Sequence, residues 1–142
     1  METRMMRRGL CACVLLACVT LTACNQDRAL AVRQMNSGLA ENQAGLSSDA
    51  VKLLKEATEQ DKTYADPPYY LAQLYHQKFN QLDEAVRYYQ VAVERAPENA
   101  QMHYRLGSVL AEQGKHSEAV SHFERATKTL HTAFETYRGV NV

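Results

Sequence analysis

Three windows of the sequence repeat one arrangement of small and large residues. Each window has an alanine, a large residue four positions later and a second alanine three positions after that, and the windows recur after 35 and 34 residues. Positions i, i+4 and i+7 share one face of a helix, where the alanines admit a partner helix and the large residue fills the gap. This period predicts a helical repeat array. The windows are Ala50-x3-Leu54-x2-Ala57, Ala85-x3-Tyr89-x2-Ala92 and Ala119-x3-Phe123-x2-Ala126.

A helix start is expected just before each window. Ser48, Asp83 and Ser117 stand two residues before the first alanine of their windows. Serine and aspartate are favoured N-caps because their side-chain oxygens accept hydrogen bonds from the first free backbone N–H groups. An acidic residue follows each of them, where the helix dipole favours negative charge. The recurrence of cap, acid and alanine strengthens the prediction of repeated helices.

A second helical segment precedes each window. The clearest copy is Leu106-Gly107-x2-Leu110, which is followed by a turn glycine at Gly114, and Leu71-Ala72-x2-Tyr75 is its counterpart one repeat earlier. Gly38 and Gly45 hold the equivalent places in the first copy. This helix–turn–helix unit resembles the tetratricopeptide repeat (TPR), whose length is about 34 residues.

The TPR resemblance implies an all-α fold, a right-handed α-solenoid of about three helix–turn–helix repeats. The second copy departs from the pattern by one extra residue in its inner turn, near Phe79–Asn80. The expected domain covers residues 30–142, with repeats at about 31–65, 66–99 and 100–133.

The last helix is expected to run past the third repeat to about Tyr137 as a capping extension, because no glycine or proline interrupts residues 117–138. Leu130, Phe134 and Tyr137 continue its apolar stripe. This stripe either covers the third repeat or forms a contact with a partner. We therefore keep Phe134 and Tyr137 as candidate contacts of a homodimer.

The first 23 residues differ from the rest of the chain. Three arginines precede an apolar run at residues 10–21, which is shorter than the roughly 20 residues that span a bilayer. A positive start followed by a short apolar run predicts a cleaved secretory signal peptide at residues 1–23. A buried core helix is the alternative interpretation.

The apolar run ends on Leu21-Thr22-Ala23-Cys24, which resembles the lipobox of bacterial lipoproteins. The resemblance implies cleavage before Cys24, covalent lipid such as palmitate on this cysteine, and a short lipidated linker at residues 24–29. The chain would then be anchored to the cell membrane. Because residue 25 is Asn rather than Asp, the resemblance implies the outer membrane, facing the periplasm. The other three cysteines lie within the signal, so no disulfide or cysteine metal site is expected.

Charge and motifs argue against several other functions. The 16 basic and 16 acidic side chains balance, so the sequence lacks the basic footprint of a nucleic-acid binder. It contains no glycine-rich phosphate loop, no His-Glu-x-x-His and no Gly-x-Ser-x-Gly motif. Its five histidines are interpreted as isolated, solvated side chains. We therefore expect neither an enzyme nor a metal, and no cofactor other than the lipid on Cys24.

Binding is the expected use of a helical stack, because stacking builds an extended concave surface. In TPR proteins the first helix of each repeat lines this groove, and in the first repeat that would offer Met35, Leu39 and Asn42. Met35 and Leu39 stand where a carboxylate clamp needs Lys and Asn, so an extended peptide or a partner helix is the better ligand. Each groove tyrosine could instead pack between repeats. The candidates in the other two repeats are Tyr69, Gln73, His76, Tyr104, Arg105, Ser108 and Glu112.

These features predict a membrane-anchored TPR lipoprotein that acts as an interaction adaptor or scaffold in the cell envelope. Its expected partners are envelope proteins or peptides, and its expected process is assembly of an envelope complex such as a pilus, a secretion pore or cell-wall machinery. The alternative is a structural lipoprotein that self-associates and has no dedicated peptide ligand.

Overall fold

The computed structural model describes residues 26–140, which form six helices and no strand. The helices follow one another in three pairs joined by short turns, and each pair packs against the next. Turns this short make the two helices of a pair antiparallel. The architecture is the predicted stack of three helix pairs. The helices are α1 (26–43), α2 (Ser47–Gln60), α3 (Asp66–Gln77), α4 (Leu82–Arg95), α5 (Ala100–Glu112) and α6 (His116–Val140).

The two helices of a pair approach most closely at the repeated windows. A Cβ atom built on Gly107 would lie 2.9 Å from the Phe123 ring and 3.1 Å from the carbonyl oxygen of Ala119. Gly38 meets its own window in the same way, with Leu54 Cγ at 3.1 Å. The small residue of the first helix thus faces the alanine and the large residue of the second, as the sequence pattern predicts.

The core runs along the whole stack and draws on every repeat. Both alanines of the first two windows are fully buried, and so are the large residues of those windows. Burial of these apolar side chains is the main favourable term that holds the pairs together. The fully buried apolar positions include Ala31, Ala50, Leu54, Ala57, Leu71, Ala72, Ala85, Tyr89, Ala92, Leu106 and Val109.

The inner turns differ in length as the sequence predicted. Gly45 in the α1–α2 turn and Gly114 in the α5–α6 turn have φ angles of 87° and 78°, a region that strains other L-residues. The α3–α4 turn covers residues 78–81 and is one residue longer, and there Asn80 takes a φ of 50°. This finding confirms the extra residue of the second repeat. Asparagine is among the few residues that tolerate this conformation.

The predicted N-caps of α2 and α4 are wrong by two positions, and Ser117 likewise lies inside α6. Ser48, Asp83 and Ser117 are each the second residue of their helix. The residues that cap α2 and α4 are Leu46 and Gln81, and neither makes a side-chain capping hydrogen bond. The physical reason is the tight inner turn, which brings the chain into helical geometry as soon as the turn closes.

The first helix begins earlier than the sequence indicated. Residues 26–29, which were assigned to a linker, are helical. In this segment Arg28 forms an ion pair with Asp61 at the end of α2 and donates to Thr63 Oγ1 at 3.0 Å. Its guanidinium also lies 4.4 Å from the centre of the Tyr64 ring. These contacts bind the start of α1 to the α2–α3 turn.

Arg95 of α4 holds the same turn from the other side. Its Nη1 atom donates to the carbonyl oxygens of Thr58 at 3.1 Å, Asp61 at 3.3 Å and Tyr64 at 3.0 Å. Burial lowers the pKa of Arg95, while Glu59 and Asp61 act in the opposite direction. One cation thus satisfies three carbonyls where the chain leaves α2 for α3.

The predicted signal peptide and the predicted lipidation site, Cys24, lie outside the described residues. No helix among residues 26–140 has both the length and the apolar composition to cross a membrane.

The C-terminal extension forms as predicted, since α6 is one helix of 25 residues. It does not cover the third repeat, however. Leu130, Phe134 and Tyr137 are 63%, 59% and 72% exposed. The interpretation that this stripe closes the stack is therefore wrong, because α6 continues well beyond the length of α5 and these large side chains remain mostly exposed.

Candidate functional site

The structure links the second and third repeats through two of the candidate groove residues. His76 of α3 donates from Nε2 to the carboxylate of Glu112 of α5, with Nε2 3.0 Å from Oε2 and 3.1 Å from Oε1. Carboxylate oxygens only accept, so Nε2 carries a proton. The other ring nitrogen, Nδ1, is buried and has no hydrogen-bond partner among the described residues. His76 is therefore not the isolated, solvated side chain that the sequence indicated.

Arg105 and Ser108 lie on the same face of α5 as Glu112, at i, i+3 and i+7. Arg105 is half-buried and makes no hydrogen bond or ion pair with any described residue. Ser108 is also half-buried, and its hydroxyl donates to the Tyr104 carbonyl at 2.9 Å. The oxygen of Ser108 and the guanidinium of Arg105 can therefore still bind a ligand.

Gln73 stands one turn before His76 on α3 and completes this surface. Its Nε2 atom donates to the Tyr69 hydroxyl at 2.9 Å, which leaves the amide oxygen as an acceptor. We name the set Gln73, His76, Arg105, Ser108 and Glu112 the α3–α5 strip. The strip presents one cation, one carboxylate and several neutral polar groups on two neighbouring helices.

Tyr69 lies beneath this strip and is part of the core. It is 5% exposed and packs edge-on against Tyr89 and Tyr70, with ring centres 5.8 Å and 5.4 Å apart. Its ring therefore offers little contact area to a ligand. The alternative that a groove tyrosine packs between repeats holds for Tyr69.

Tyr89 shows how closely α5 covers this core. Burial raises the pKa of the Tyr89 hydroxyl, and Tyr69 and Glu112 act in the same direction while Arg105 opposes them. The Tyr89 hydroxyl is buried without a hydrogen-bond partner among residues 26–138. The charged groups of the strip thus act electrostatically on a buried phenol of the core.

Tyr104 lies apart from the strip, on the open end of the stack. It is 55% exposed, and its ring centre is 5.6 Å from that of Phe123 on α6. Together with Leu130 and several smaller residues these two rings line a cleft of about 550 Å³. Tyr104 is thus available to a partner, but on a surface different from that of the strip.

The first repeat adds little to the groove. Met35 is 7% exposed, and Leu39 packs against the core. The Asn42 side chain accepts a hydrogen bond from Ser47 Oγ at 3.3 Å. The polar part of the candidate site therefore lies on α3 and α5, and Met35 and Leu39 stand where a carboxylate clamp would need lysine and asparagine.

A histidine pair in the third repeat escaped the sequence analysis. His103 is 1% exposed, and its Nε2 atom donates to the carbonyl of Pro97 at 2.9 Å. His103 Nδ1 then accepts from His122 Nδ1 at 3.0 Å. The interpretation of solvated histidines is wrong for this pair. A usable signal existed, because His103 occupies the position where TPR sequences usually carry a buried aromatic residue.

The pair does not extend into a larger ligand set. Burial lowers the pKa of His122, as do His103 and Arg125, while Glu118 acts in the opposite direction. Within the part of the chain that the structure describes, no group of three or more His, Cys, Asp or Glu side chains could hold a metal ion. The pair therefore joins α5 to α6 as a packing contact.

Comparison with known proteins agrees with this architecture. Residues 70–131 match the family model of the tetratricopeptide repeat. No curated protein sequence matches the chain significantly. Several solved structures do, including a crystal structure of MamA, with a TM-score of 0.70 and 22% identity over 74% of this chain.

Two further structures resemble this chain to a similar degree. The second TPR of Spaghetti (RPAP3), bound to the HSP90 peptide SRMEEVD, has a TM-score of 0.67 and 21% identity over 73% of this chain and 95% of its own. The N-terminal domain of stress-induced protein-1 (STI-1) from C. elegans has a TM-score of 0.66 and 22% identity, covering 72% of this chain and 86% of that domain. Our chain spans 61% of the MamA chain.

The fold and these matches define the chain as an α-solenoid repeat protein. The predicted fold class, an all-α solenoid of three helix pairs, is confirmed, and residues 70–131 match the tetratricopeptide repeat model. Folds of this kind present extended concave surfaces that are typical of protein-interaction modules.

Proposed function

We propose that this chain is a lipid-anchored adaptor of the cell envelope that binds a protein partner along the α3–α5 strip. The observation that carries the proposal is the unused binding capacity of this surface. The Arg105 guanidinium has no partner among the described residues, and neither has the buried Nδ1 atom of His76. An uncommitted guanidinium and a buried, unpaired ring nitrogen on neighbouring helices favour a ligand that can bond to both.

The strip also indicates what the ligand contains. Arg105 suits a carboxylate, which it can bind through two parallel N–H···O bonds. His76 Nδ1 is buried and unpaired, and it would pair with a donor on the ligand if the ring is neutral or with an acceptor if the ring is charged. Glu112 and the Gln73 amide oxygen accept further donors. An extended peptide or a partner helix that carries an acidic residue beside hydrogen-bond donors meets these requirements.

The anchor rests on the N-terminal sequence and on the start of α1. Leu21-Thr22-Ala23-Cys24 has the form of a lipobox, and Asn25 in place of Asp favours the outer membrane. The chain is helical from residue 26, which is two residues after Cys24. Two residues at full extension span about 7 Å in total, so Cys24 can lie no further than that from the start of α1. A lipid on Cys24 would hold the first repeat against the bilayer and leave the other repeats facing the periplasm.

Metabolic labelling with a palmitate analogue tests the anchor. We expect label on the wild-type chain and none on Cys24→Ala, with the wild type in the outer-membrane fraction. Equal labelling of both chains would contradict lipidation at this residue.

Partner capture tests the strip separately. Full-length chain extracted from cells in mild detergent is expected to retain its envelope partner, whereas Arg105→Glu should retain several-fold less. Arg33→Glu is the matched control, since Arg33 is exposed on α1 and away from the strip. Equal losses from both variants would exclude a specific role for the strip and leave a structural, self-associating protein.

A further inference from the structure

A second surface lies on α6, the last helix of the described stack, and runs from beside α5 onto the exposed part of the helix. Two rows of residues run along this face, with members of each row seven residues apart, a spacing typical of helix-pairing seams. Val120, Leu130, Phe134 and Tyr137 are between 53% and 72% exposed. Apolar side chains collected on one surface in this way mark an interface. The two rows, here called the α6 seam, are Val120, Thr127 and Phe134, and Phe123, Leu130 and Tyr137.

The interior of the same molecule shows how such a surface is covered. In the second repeat the ring pair Tyr69–Tyr89 is buried, and α5 of the next repeat lies beside it. One repeat later the ring pair Tyr104–Phe123 has nearly the same separation, 5.6 Å against 5.8 Å. Tyr104 nevertheless remains 55% exposed, because no helix among the described residues follows α6. The open end of the stack therefore presents a surface that is covered by a helix elsewhere in this chain.

The α1 end of a second copy is poorly suited to cover the apolar surface on α6. The exposed side of α1 carries Arg33, Asn36, Ser37 and Gln43, with Leu30 as its large apolar residue at 39% exposure. A polar outer face is what a terminal repeat needs. If a second copy stacked its α1 on α6, polar groups would meet the apolar seam. Head-to-tail stacking of copies is therefore disfavoured.

The charges beside the seam favour a different arrangement of two copies. Glu124, His131 and Arg138 are spaced by seven residues and form one row along the edge of the seam. The row is acidic toward the start of α6 and basic toward its end. Antiparallel pairing of two α6 helices places Glu124 of each copy opposite the basic end of the other, whereas parallel pairing places Glu124 against Glu124.

We propose that the α6 seam pairs antiparallel with the same seam of a second copy of this chain. Phe123, Leu130 and Phe134 supply the apolar contact, and Glu124 with Arg138 sets the direction. The contact is isologous, so it closes on itself and yields a dimer rather than a filament. It leaves the α3–α5 strip open on both copies and does not depend on what the strip binds.

Photocrosslinking of the full chain in bacterial cells tests the contact. The crosslinking amino acid replaces Thr127, which is exposed in the middle of the seam. We expect a product of twice the chain mass in which the linked peptide comes from residues 120–137 of the second copy. A linked peptide from residues 26–43 would show head-to-tail stacking and overturn the proposal. A product with a different protein alone, or no product, would also overturn it.

Charge reversal tests the direction of pairing. Glu124→Arg alone and Arg138→Glu alone should each reduce the dimeric product several-fold, because like charges then face each other across the seam. The double variant should recover most of it. Arg138 also donates to Glu135 at 2.6 Å, and this contact is lost in Arg138→Glu and in the double variant but kept in Glu124→Arg, so recovery in the double variant cannot come from it. Failure of the double variant to recover would exclude the antiparallel arrangement.

A matched pair of variants tests the apolar contact. Leu130→Glu should abolish the dimeric product, while Leu46→Glu, at an exposed residue of the α1–α2 turn, should leave it unchanged. Far-UV circular dichroism of both variants checks that the helices persist. Equal dimer yields from the two variants would contradict a seam centred on Leu130.

Discussion

Tyr69 and Tyr104 occupy the same position in successive repeats, yet Tyr69 is 5% exposed and Tyr104 is 55% exposed. Each ring packs against the large residue of its own repeat window, Tyr89 or Phe123. The difference comes from the neighbouring repeat, because α5 covers the first pair and no described helix covers the second. The same residue type thus serves the core in one repeat and an open surface in the next.

Tyr69→Ala and Tyr104→Ala should separate these roles. Removing a buried aromatic side chain costs about 3–5 kcal/mol, so Tyr69→Ala should lower the free energy of unfolding by that order. Tyr104→Ala removes a mostly exposed ring and should cost about 1 kcal/mol or less. Urea denaturation followed by circular dichroism measures both. Equal losses would contradict the burial that the structure assigns to Tyr69.

Gly107 of α5 lies tightly against Phe123 and Ala119 of α6, so a larger residue there should push the two helices apart. Gly107→Val should destabilise the chain by about 1–3 kcal/mol or more, because its side chain would overlap the Phe123 ring. The neighbouring change Ser108→Ala is the control and should have little effect. Adding Phe123→Ala should cost less in the Gly107→Val background than in the wild type. Purely additive losses would show that the two positions do not touch.

The His103–His122 pair should make stability depend on pH. Burial and the nearby His103 and Arg125 lower the pKa of His122 below its ordinary value of 6.5. As the pH falls below about 6.5, the unfolded chain therefore takes up a proton that the folded chain resists. The free energy of unfolding should fall over this range and level off below the folded pKa.

The variant His122→Gln measures this contribution. It should show a shallower loss of stability between about pH 7 and pH 5 than the wild type, because one titrating group is gone. His116→Gln is the control, since His116 is exposed at the start of α6. A slope that is unchanged in His122→Gln would contradict the assigned shift.

Asp61 should also make the free energy of unfolding depend on pH, but at more acidic pH than His122 does. Burial alone would raise the pKa of Asp61, but hydrogen bonds from Arg28 and Thr63 outweigh it and lower the pKa from 3.8 to about 2. A lowered carboxyl pKa gives stability that is present above about pH 4 and lost as the pH falls toward 2.

Asp61→Asn should therefore lower the free energy of unfolding by about 1–3 kcal/mol at neutral pH, since it weakens the contact that ties α1 to the α2–α3 turn. The difference from the wild type should narrow between about pH 4 and pH 2. Asp49→Asn, at an exposed residue of α2, is the control. A difference that stays constant down to pH 2 would contradict the account of this ion pair.

Local pattern was sufficient to predict the fold. The alanine windows determine which helix faces meet, and Gly45 and Gly114 mark the turns through their positive φ angles. Even the longer turn at Asn80 was visible, because the repeats fall out of step there by one residue. These features depend on residues that are near one another in the sequence. The alanine window also occurs three times in this chain, so its three copies can be compared with one another.

The contacts between repeats could not be predicted in the same way. His76 and Glu112 were both candidates, but their hydrogen bond joins residues 36 positions apart. The three carbonyls that Arg95 binds, the burial of Tyr69 and the pairing of His103 with His122 all depend on how one repeat sits on another. Sequence spacing within a repeat carries no information on that placement.

The central claim is that a protein partner binds along the α3–α5 strip. The most direct measurement is photocrosslinking in living cells from position 73, on the strip, compared with position 36, which is exposed on the polar side of α1. The account predicts one dominant envelope protein linked to position 73, lost in the Arg105→Glu background, and not linked to position 36. Equal products from both positions, or a product from position 73 that Arg105→Glu leaves unchanged, would contradict it.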